Sequence, residues 1–328
     1  MAPTVLFIGG TGQISTACVA EALSLGFAVT VLNRGRSSLR ELPAGAEELR
    51  ADLTDTESMA AALGDREFDV VADFMSFTTD RLERNVNLFA GRTGQYIFIS
   101  SASAYAKPVA SLPITESTPL RNPFWQYSRD KIACEDLLVA RYRADGFPAT
   151  IVRPSHTYDR FGNPLEGGWT QVARMLAGRP VVVHGDGTSL WTLTHSSDFA
   201  YMFAGLLARP QAVGESYHIT GDEVLTWDAI TQALARAAGV EADIVHVASE
   251  TIARVIPAMG PGVVGDKAHS VVFDNSKVRA LRPGFAQKVP FSAGARQIID
   301  AYNSHPERQV VDAELDAKLD ELVKLARG

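Results

Sequence analysis

Through its first half the chain alternates short apolar runs with longer amphipathic stretches. The runs at 4–8, 28–32, 70–74, 95–100 and 149–152 are apolar almost throughout and do not alternate with polar residues. A strand with one face in water reads apolar-polar-apolar, whereas a strand covered on both faces reads apolar along its length. The pattern predicts parallel strands sandwiched between helices. The helices come from 13–26, from around 58–63, and from 80–90 and 127–145. This is an α/β chain with a doubly wound parallel sheet.

Beyond Arg153 the texture changes. Pro154, Gly162, Pro164, Gly167, Gly168, Gly178 and Pro180 interrupt the chain and mark loops and short elements. A helix is expected at 197–207, a strand at 216–219 placed to rejoin the sheet, and a further helix at 227–238. The Pro- and Gly-bearing segment 258–264 reads as a loop over the site. Leu315, Leu319, Leu322 and Ala326 recur at helical spacing within 312–326.

Composition narrows the class. A length of 328 residues exceeds one small core and suits a large α/β unit with a second lobe. With 46% hydrophobic and 21% charged residues, disorder is excluded as the main state. No apolar run is long enough to span a membrane, and the N-terminal residues lack a basic leader and read as a strand. A cytoplasmic location is expected. The net charge of −7 argues against nucleic acid as the main partner. Cys18 and Cys134 are too few for a disulfide framework and read as small buried hydrophobes. No His/Cys cluster has metal-ligand spacing, so no metal is expected.

The first strand runs into Gly9-Gly10-Thr11-Gly12-Gln13-Ile14-Ser15 and then into a helix. Glycines let the backbone turn tightly and approach a pyrophosphate, and the helix start supplies free N–H groups. Gly9, Thr11, Gly12, Gln13 and Ile14 are therefore candidate dinucleotide-binding residues on a Rossmann-type sheet. Ser15 stands where a third glycine is usual. The second strand ends at Asn33, followed by Arg34 and Arg36. A carboxylate there would accept from a ribose 2′-hydroxyl and favour NAD. Guanidiniums without one match a 2′-phosphate, so NADP is favoured over NAD. Asp52, with Leu53 beside it, is placed to accept from an adenine amino group.

Tyr127 and Lys131 share one helix face at i, i+4. A lysine ammonium near a phenol lowers its ordinary pKa of about 10 and makes it a usable acid or base. Ser100 to Ser103 follow the strand at 95–100, so the Ser101 hydroxyl lies at the carboxyl edge, where it can hold a substrate oxygen. Ser100 is expected to face away.

With these motifs in this order, the chain resembles the extended short-chain dehydrogenase/reductases of the NAD(P)-dependent epimerase/dehydratase type, over roughly residues 4 to 230. The resemblance rests on Gly-Gly-Thr-Gly-Gln-Ile, Asp52-Leu53, Ser-Ser-Ala-Ser-Ala-Tyr at 100–105, Tyr127 with Lys131, Arg153-Pro154, and Thr194-His195-Ser196-Ser197-Asp198. It implies catalysis by Ser101, Tyr127 and Lys131, with Lys131 also on the nicotinamide ribose and Ser155 and His156 beside the nicotinamide. It implies a dinucleotide domain of 1–157 and 196–222, and a substrate lobe of 158–195 and 223–328. It also implies a homodimer through 80–90 and 127–145, with Leu82, Val86, Phe89, Leu137 and Leu138 as apolar contacts.

Two departures bear on substrate. Ala102 and Ser103 stand where the family's 4,6-dehydratases carry an acidic pair, which argues against dehydration. Trp191 stands near the position where sugar-nucleotide enzymes carry an arginine. A tryptophan can stack on a ring but cannot neutralise a diphosphate. With Thr194-His195, it resembles the branch containing chloroplast stem-loop-binding proteins and many bacterial reductases. Ser103, Trp125, Trp169, Trp191 and His195 are the candidate substrate contacts. The leading reading is an NADP-dependent oxidoreductase acting on a carbonyl or secondary alcohol of a small or medium metabolite. A sugar or sugar-nucleotide epimerase is the alternative. A non-catalytic NADP-sensing or RNA-binding protein on this fold is the reading from another class.

Overall fold

The computed structural model describes residues 2–35 and 39–328. Its centre is a seven-stranded, all-parallel sheet. Six strands come from the first half: β1 (Thr4–Ile8), β2 (Ala28–Asn33), β3 (Glu47–Arg50), β4 (Phe68–Asp73), β5 (Thr93–Ile99) and β6 (Ala149–Pro154). The seventh, Ser216–Ile219, pairs with β6, and the order across the sheet is Ser216–Ile219, β6, β5, β4, β1, β2, β3. The fold class is that of the sequence reading: Rossmann-type, doubly wound and parallel.

The continuous apolar runs have the predicted cause. Along β1, Val5 and Phe7 enter one core while Leu6 and Ile8 enter another, and all four are fully buried. Each such side chain contributes roughly 1.5–3 kcal/mol by leaving water. The first face is covered by α1 (Ser15–Ser24) and the helix Ser196–Ala204. The second is covered by α2 (Thr56–Leu63), α3 (Thr79–Phe89) and α4 (Gln126–Asp145). Leu82, Val86, Phe89 and Leu138 are committed to this second core. Four of the five side chains offered for a dimer face thus point into their own sheet.

Helix α1 starts at Ser15 and not at 13, because residues 10–14 form the turn above β1. The serine in the third glycine position has a task there: its Oγ accepts the Gly12 N–H at 2.8 Å. The segment 258–264 is not an open loop. Gly260–Gly262 and the wide helical turn Val263–Lys267 wind it into a strap.

The remaining residues pack at the carboxyl edge. Three small two-stranded sheets occur there: Thr157–Tyr158 with Thr194–His195, Leu190–Thr192 with Val224–Thr226, and Val181–His184 with Ile244–Val247. The C-terminal helix Ala313–Arg327 buries Leu319 and Leu322 against Val245 and Val247. Arg174 ties it down through Asp316 at 2.6 Å and Asp320 at 2.9 Å. No described helix is long and apolar enough to cross a membrane. Both cysteines are buried and unpaired.

Candidate active site

Strand order reverses between β1 and β4, and in such sheets ligands bind outside the carboxyl ends at that point. Two adjoining cavities open there. The first, of about 370 Å³, is lined by Gly9, Thr11, Gly12, Gln13 and Ile14 from the glycine turn, and by Asn33, Arg34, Leu53 and Lys131. The turn requires its glycines. Gly9 has φ +85°, and a Cβ there would lie 2.4 Å from Met75 Cγ. A Cβ on Gly10 would lie 2.5 Å from Val31 Cγ1.

Asn33 uses its Oδ1 to accept the Gly10 N–H at 3.0 Å, which leaves Nδ2 buried with no partner among the described residues. An orphaned donor facing a cleft beside such a turn fits the ribose end of a dinucleotide. Arg34 lines the same end. Arg36 lies outside the described residues. The sequence reading missed Arg81 of α3, which donates to the Leu53 carbonyl at 3.0 Å and leaves Nε without a partner among the described residues. Burial, more than the Arg34 and Arg84 charges, lowers the Arg81 pKa. Asp52 does not line the cleft. It accepts from the Thr54 N–H at 2.9 Å and the Thr54 hydroxyl at 2.8 Å, holding the turn after β3.

The second cavity, of about 340 Å³, is lined by Ser101, Ser103, Trp125, Tyr127, Ser155, His156 and Trp191. Ser101 Oγ lies 2.9 Å from Ser103 Oγ, which Ser128 bonds at 2.8 Å. Tyr127 lines both cavities. Ser155 and His156 face this cavity and not the cleft over the glycine turn. Ser155 Oγ donates to the Thr192 carbonyl at 3.1 Å. His156 Nδ1 accepts from Trp191 Nε1 at 2.9 Å. Indole N–H only donates, so the imidazole proton sits on Nε2. Burial, with the Lys267 charge adding, pushes His156 down to about 3, so the ring is neutral at working pH.

Two candidates fall elsewhere. Trp169 packs on Tyr302 with ring centroids 4.8 Å apart and lines neither cavity. It sits on the helix Trp169–Leu176, whose apolar face fills the lobe core. His195 bonds Ser197 Oγ at 2.8 Å and Gln297 at 3.0 Å, and caps the helix Ser196–Ala204. Both of its nitrogens are occupied, and it faces a separate depression near Arg40 and Phe161. Ser100 is not idle: its hydroxyl donates to Glu135, which Arg153 grips at 2.6 Å.

Lys131 is buried. Its Nζ donates to the carbonyls of Ser76 and Ile99, both at 2.7 Å. An ammonium has three donors, so one remains for the cleft. Burial pushes Lys131 down to about 8, opposed by Asp73, Cys134 and Glu135. Tyr127 moves against expectation: burial raises its pKa, the hydrogen bond with Ser101 lowers it, and Asp266 raises it again. Lys131 Nζ sits 5.9 Å from the Tyr127 ring centre and already serves two carbonyls, so desolvation dominates. The phenol in this state is a protonated acid.

The structure also brings carboxyl groups that no local motif revealed. Glu166 and Asp266 line the second cavity. Each is held by a lysine: Glu166 by Lys267 at 3.0 Å, and Asp266 by the buried Lys107 at 3.2 Å. No acid follows Ser101 at the strand end, but two reach the cavity from elsewhere in the chain. No arginine is among the described residues lining it, and its one lysine, Lys267, is paired with Glu166.

Comparison with known proteins gives these features their class. Residues 5–220 match the model of the NAD dependent epimerase/dehydratase family, and the chain belongs to that family. It is thus an NAD(P)-dependent enzyme of the extended short-chain dehydrogenase/reductase type. It is 27% identical to 2′-dehydrokanamycin reductase of Streptomyces kanamyceticus, over 97% of this chain and 89% of that protein. It is 29% identical to the chloroplast stem-loop binding protein of 41 kDa b of Arabidopsis thaliana, over 74% of this chain and 65% of that one. Its fold matches dTDP-glucose 4,6-dehydratase of Bacillus anthracis in complex with NAD, with a TM-score of 0.75 and 18% identity, covering 94% of this chain and 98% of that one.

Proposed function

We propose that this chain is an NADP-dependent oxidoreductase that interconverts a carbonyl and a secondary alcohol on a ring-bearing metabolite without a diphosphate. The observation that carries this is Tyr127: one phenol lines both the dinucleotide cleft and the second cavity. It stands where a cofactor and a substrate would meet. Arg34 in the cleft lining supports the NADP preference, and two tryptophans with no arginine in the second cavity support a ring without a diphosphate.

In this reading the glycine turn and Asn33 hold the dinucleotide, and Lys131 offers its third donor to the ribose beside the nicotinamide. A bound nicotinamide supplies or accepts the hydride. Ser101 orients the substrate oxygen by a hydrogen bond. Tyr127 gives its proton to that oxygen in reduction and takes it back in oxidation. Reduction starts from the protonated phenol, the state in which burial holds Tyr127. Residues 1–157 and 196–222 serve the cofactor, and 158–195 and 223–328 shape the substrate side. The relative's name points to a keto-aminoglycoside as the kind of ring to test.

The test is to mix the purified protein with NADP⁺ and either kanamycin or UDP-galactose. NADPH absorbance rising with kanamycin alone supports the reading. Conversion of UDP-galactose to UDP-glucose without net NADPH would replace it with the epimerase reading, which uses the same three side chains.

A further inference from the structure

Asp73, at the carboxyl end of β4, is fully buried. Its Oδ1 accepts from the N–H groups of Met75 at 2.8 Å and Ser76 at 3.0 Å. Its Oδ2 accepts from Ser76 Oγ at 2.5 Å, Asn85 Nδ2 at 3.0 Å and the Tyr96 hydroxyl at 2.5 Å. Five donors converge on two oxygens, and this is the pattern of a carboxylate. None of the five is a cation. A buried charge without a cationic partner is costly, so this one demands a reason.

The surroundings supply it. Asp73 shapes the turn at 74–78. Met75 of that turn fills the space a Cβ on Gly9 would take. The Ser76 carbonyl receives Lys131 Nζ, and the Phe77 ring lies 4.4 Å beneath it. Of the groups that face Lys131, Cys134 and Glu135 come from its own helix, as does Tyr127. Glu135 is already neutralised by Arg153. Arg81 of α3 feels Asp73 as well. Of the two carboxylates acting on Lys131 among the described residues, Asp73 and Glu135, Asp73 is the one whose charge is not taken by a direct ion pair.

We propose that Asp73 is a positioning residue for the dinucleotide cleft: through Ser76 it fixes the carbonyl that holds Lys131, and its buried charge keeps that lysine protonated. The assignment rests on the reading of the cleft as a dinucleotide site for its consequence, though not for its electrostatics. Lys131 is pushed down to about 8 with Asp73 in place. Removing the negative charge moves the value further down, because the largest of the charges that offset burial is then gone. The ammonium is present below the midpoint and lost as pH rises through it. Cofactor binding should weaken in the same direction.

The experiment follows Lys131 by NMR of protein labelled with [ε-¹³C]lysine, free of cofactor, with the signal assigned by its loss in Lys131→Arg. Asp73→Asn and Asp73→Ser are two neutral replacements of different size. In either, once folded, the midpoint should fall by about one unit, a tenfold change in the protonation equilibrium. Tyr96→Phe removes one donor but keeps the charge, and should leave the midpoint within a few tenths. An unchanged midpoint in a folded neutral variant overturns the proposal. So does a midpoint below about 7 in the unmodified protein, whatever the variants do. NADP⁺ affinity at pH 6.5 and 8.5 is measured alongside, and Asp73→Asn should lose several-fold more at 8.5. If the Lys131 titration moves and NADP⁺ affinity does not, the electrostatic role stands and the reading of the cleft fails.

Discussion

The two cavities meet at Tyr127 but are built on opposite principles. The cleft over the glycine turn is built around backbone. One continuous turn gives it Gly9, Thr11, Gly12, Gln13 and Ile14, and its glycines are dictated by a positive φ and by contacts of 2.4 and 2.5 Å. The second cavity is a side-chain structure. Its walls come from residues 101–103, 125–127, 154–157, 166, 191 and 266–273, and Glu166 and Asp266 arrive from a distant part of the chain. The difference has a chemical consequence. A cleft of main-chain N–H groups binds the invariant part of a cofactor, whereas a cavity of indoles, an imidazole and paired charges can be varied without disturbing the sheet.

The largest expected effect strikes where the cavities join. Tyr127→Phe keeps the ring and removes the proton, so hydride transfer in single turnover should slow by about 10²- to 10⁴-fold. Binding of NADP⁺, measured separately by fluorescence, should stay unchanged. An unmutated rate would place the acid elsewhere and dissolve the shared wall.

Next comes the cleft alone. Arg34→Ala removes a guanidinium from the cleft lining, where a charge-assisted bond contributes about 1.5–3 kcal/mol. The preference for NADPH over NADH should fall by roughly tenfold or more. Equal affinities for the two cofactors in the unmutated protein would remove the NADP reading altogether.

A smaller effect is confined to the second cavity. Trp191→Phe retains an aromatic wall but deletes the N–H that pins His156. One neutral hydrogen bond is worth about 1 kcal/mol, so KM for the substrate should rise about fivefold with little change in cofactor affinity. A shift in NADP⁺ binding would show that the two cavities are not separable. The smallest effect tests a residue the structure moved out of the site. Trp169→Phe should leave kcat and KM within twofold and lower only the thermal midpoint, since its ring packs on Tyr302. A large rise in KM would return Trp169 to the substrate side.

The legibility of the molecule divides along the same line. Strands β1, β4, β5 and β6 were readable because burial on both faces leaves a continuous apolar run. The glycine turn was readable because its geometry is local. Tyr127 and Lys131 were readable as a pair because helix pitch fixes i, i+4. Trp169 and His195 were misplaced because an aromatic near a predicted loop has the same sequence signature whether it faces a ligand or the lobe core. Arg81, Asp73, Glu166 and Asp266 gave no local signal. The direction of the Tyr127 pKa was misjudged for a related reason: spacing shows that a lysine is near, but only burial shows that desolvation exceeds its pull.

The sequence by itself therefore determined the sheet, the glycine turn and the helix bearing Tyr127 and Lys131, since each depends on contacts within a few residues or on whether a face is buried. Only the tertiary structure decided which carboxylates, tryptophans and histidines reach the second cavity, and which charge lies beneath Lys131. Those are contacts between residues far apart in the chain, as with Lys131 on Ser76 or Lys267 on Glu166. At such separations no local periodicity records the neighbour, and the packing of the elements alone brings the groups together.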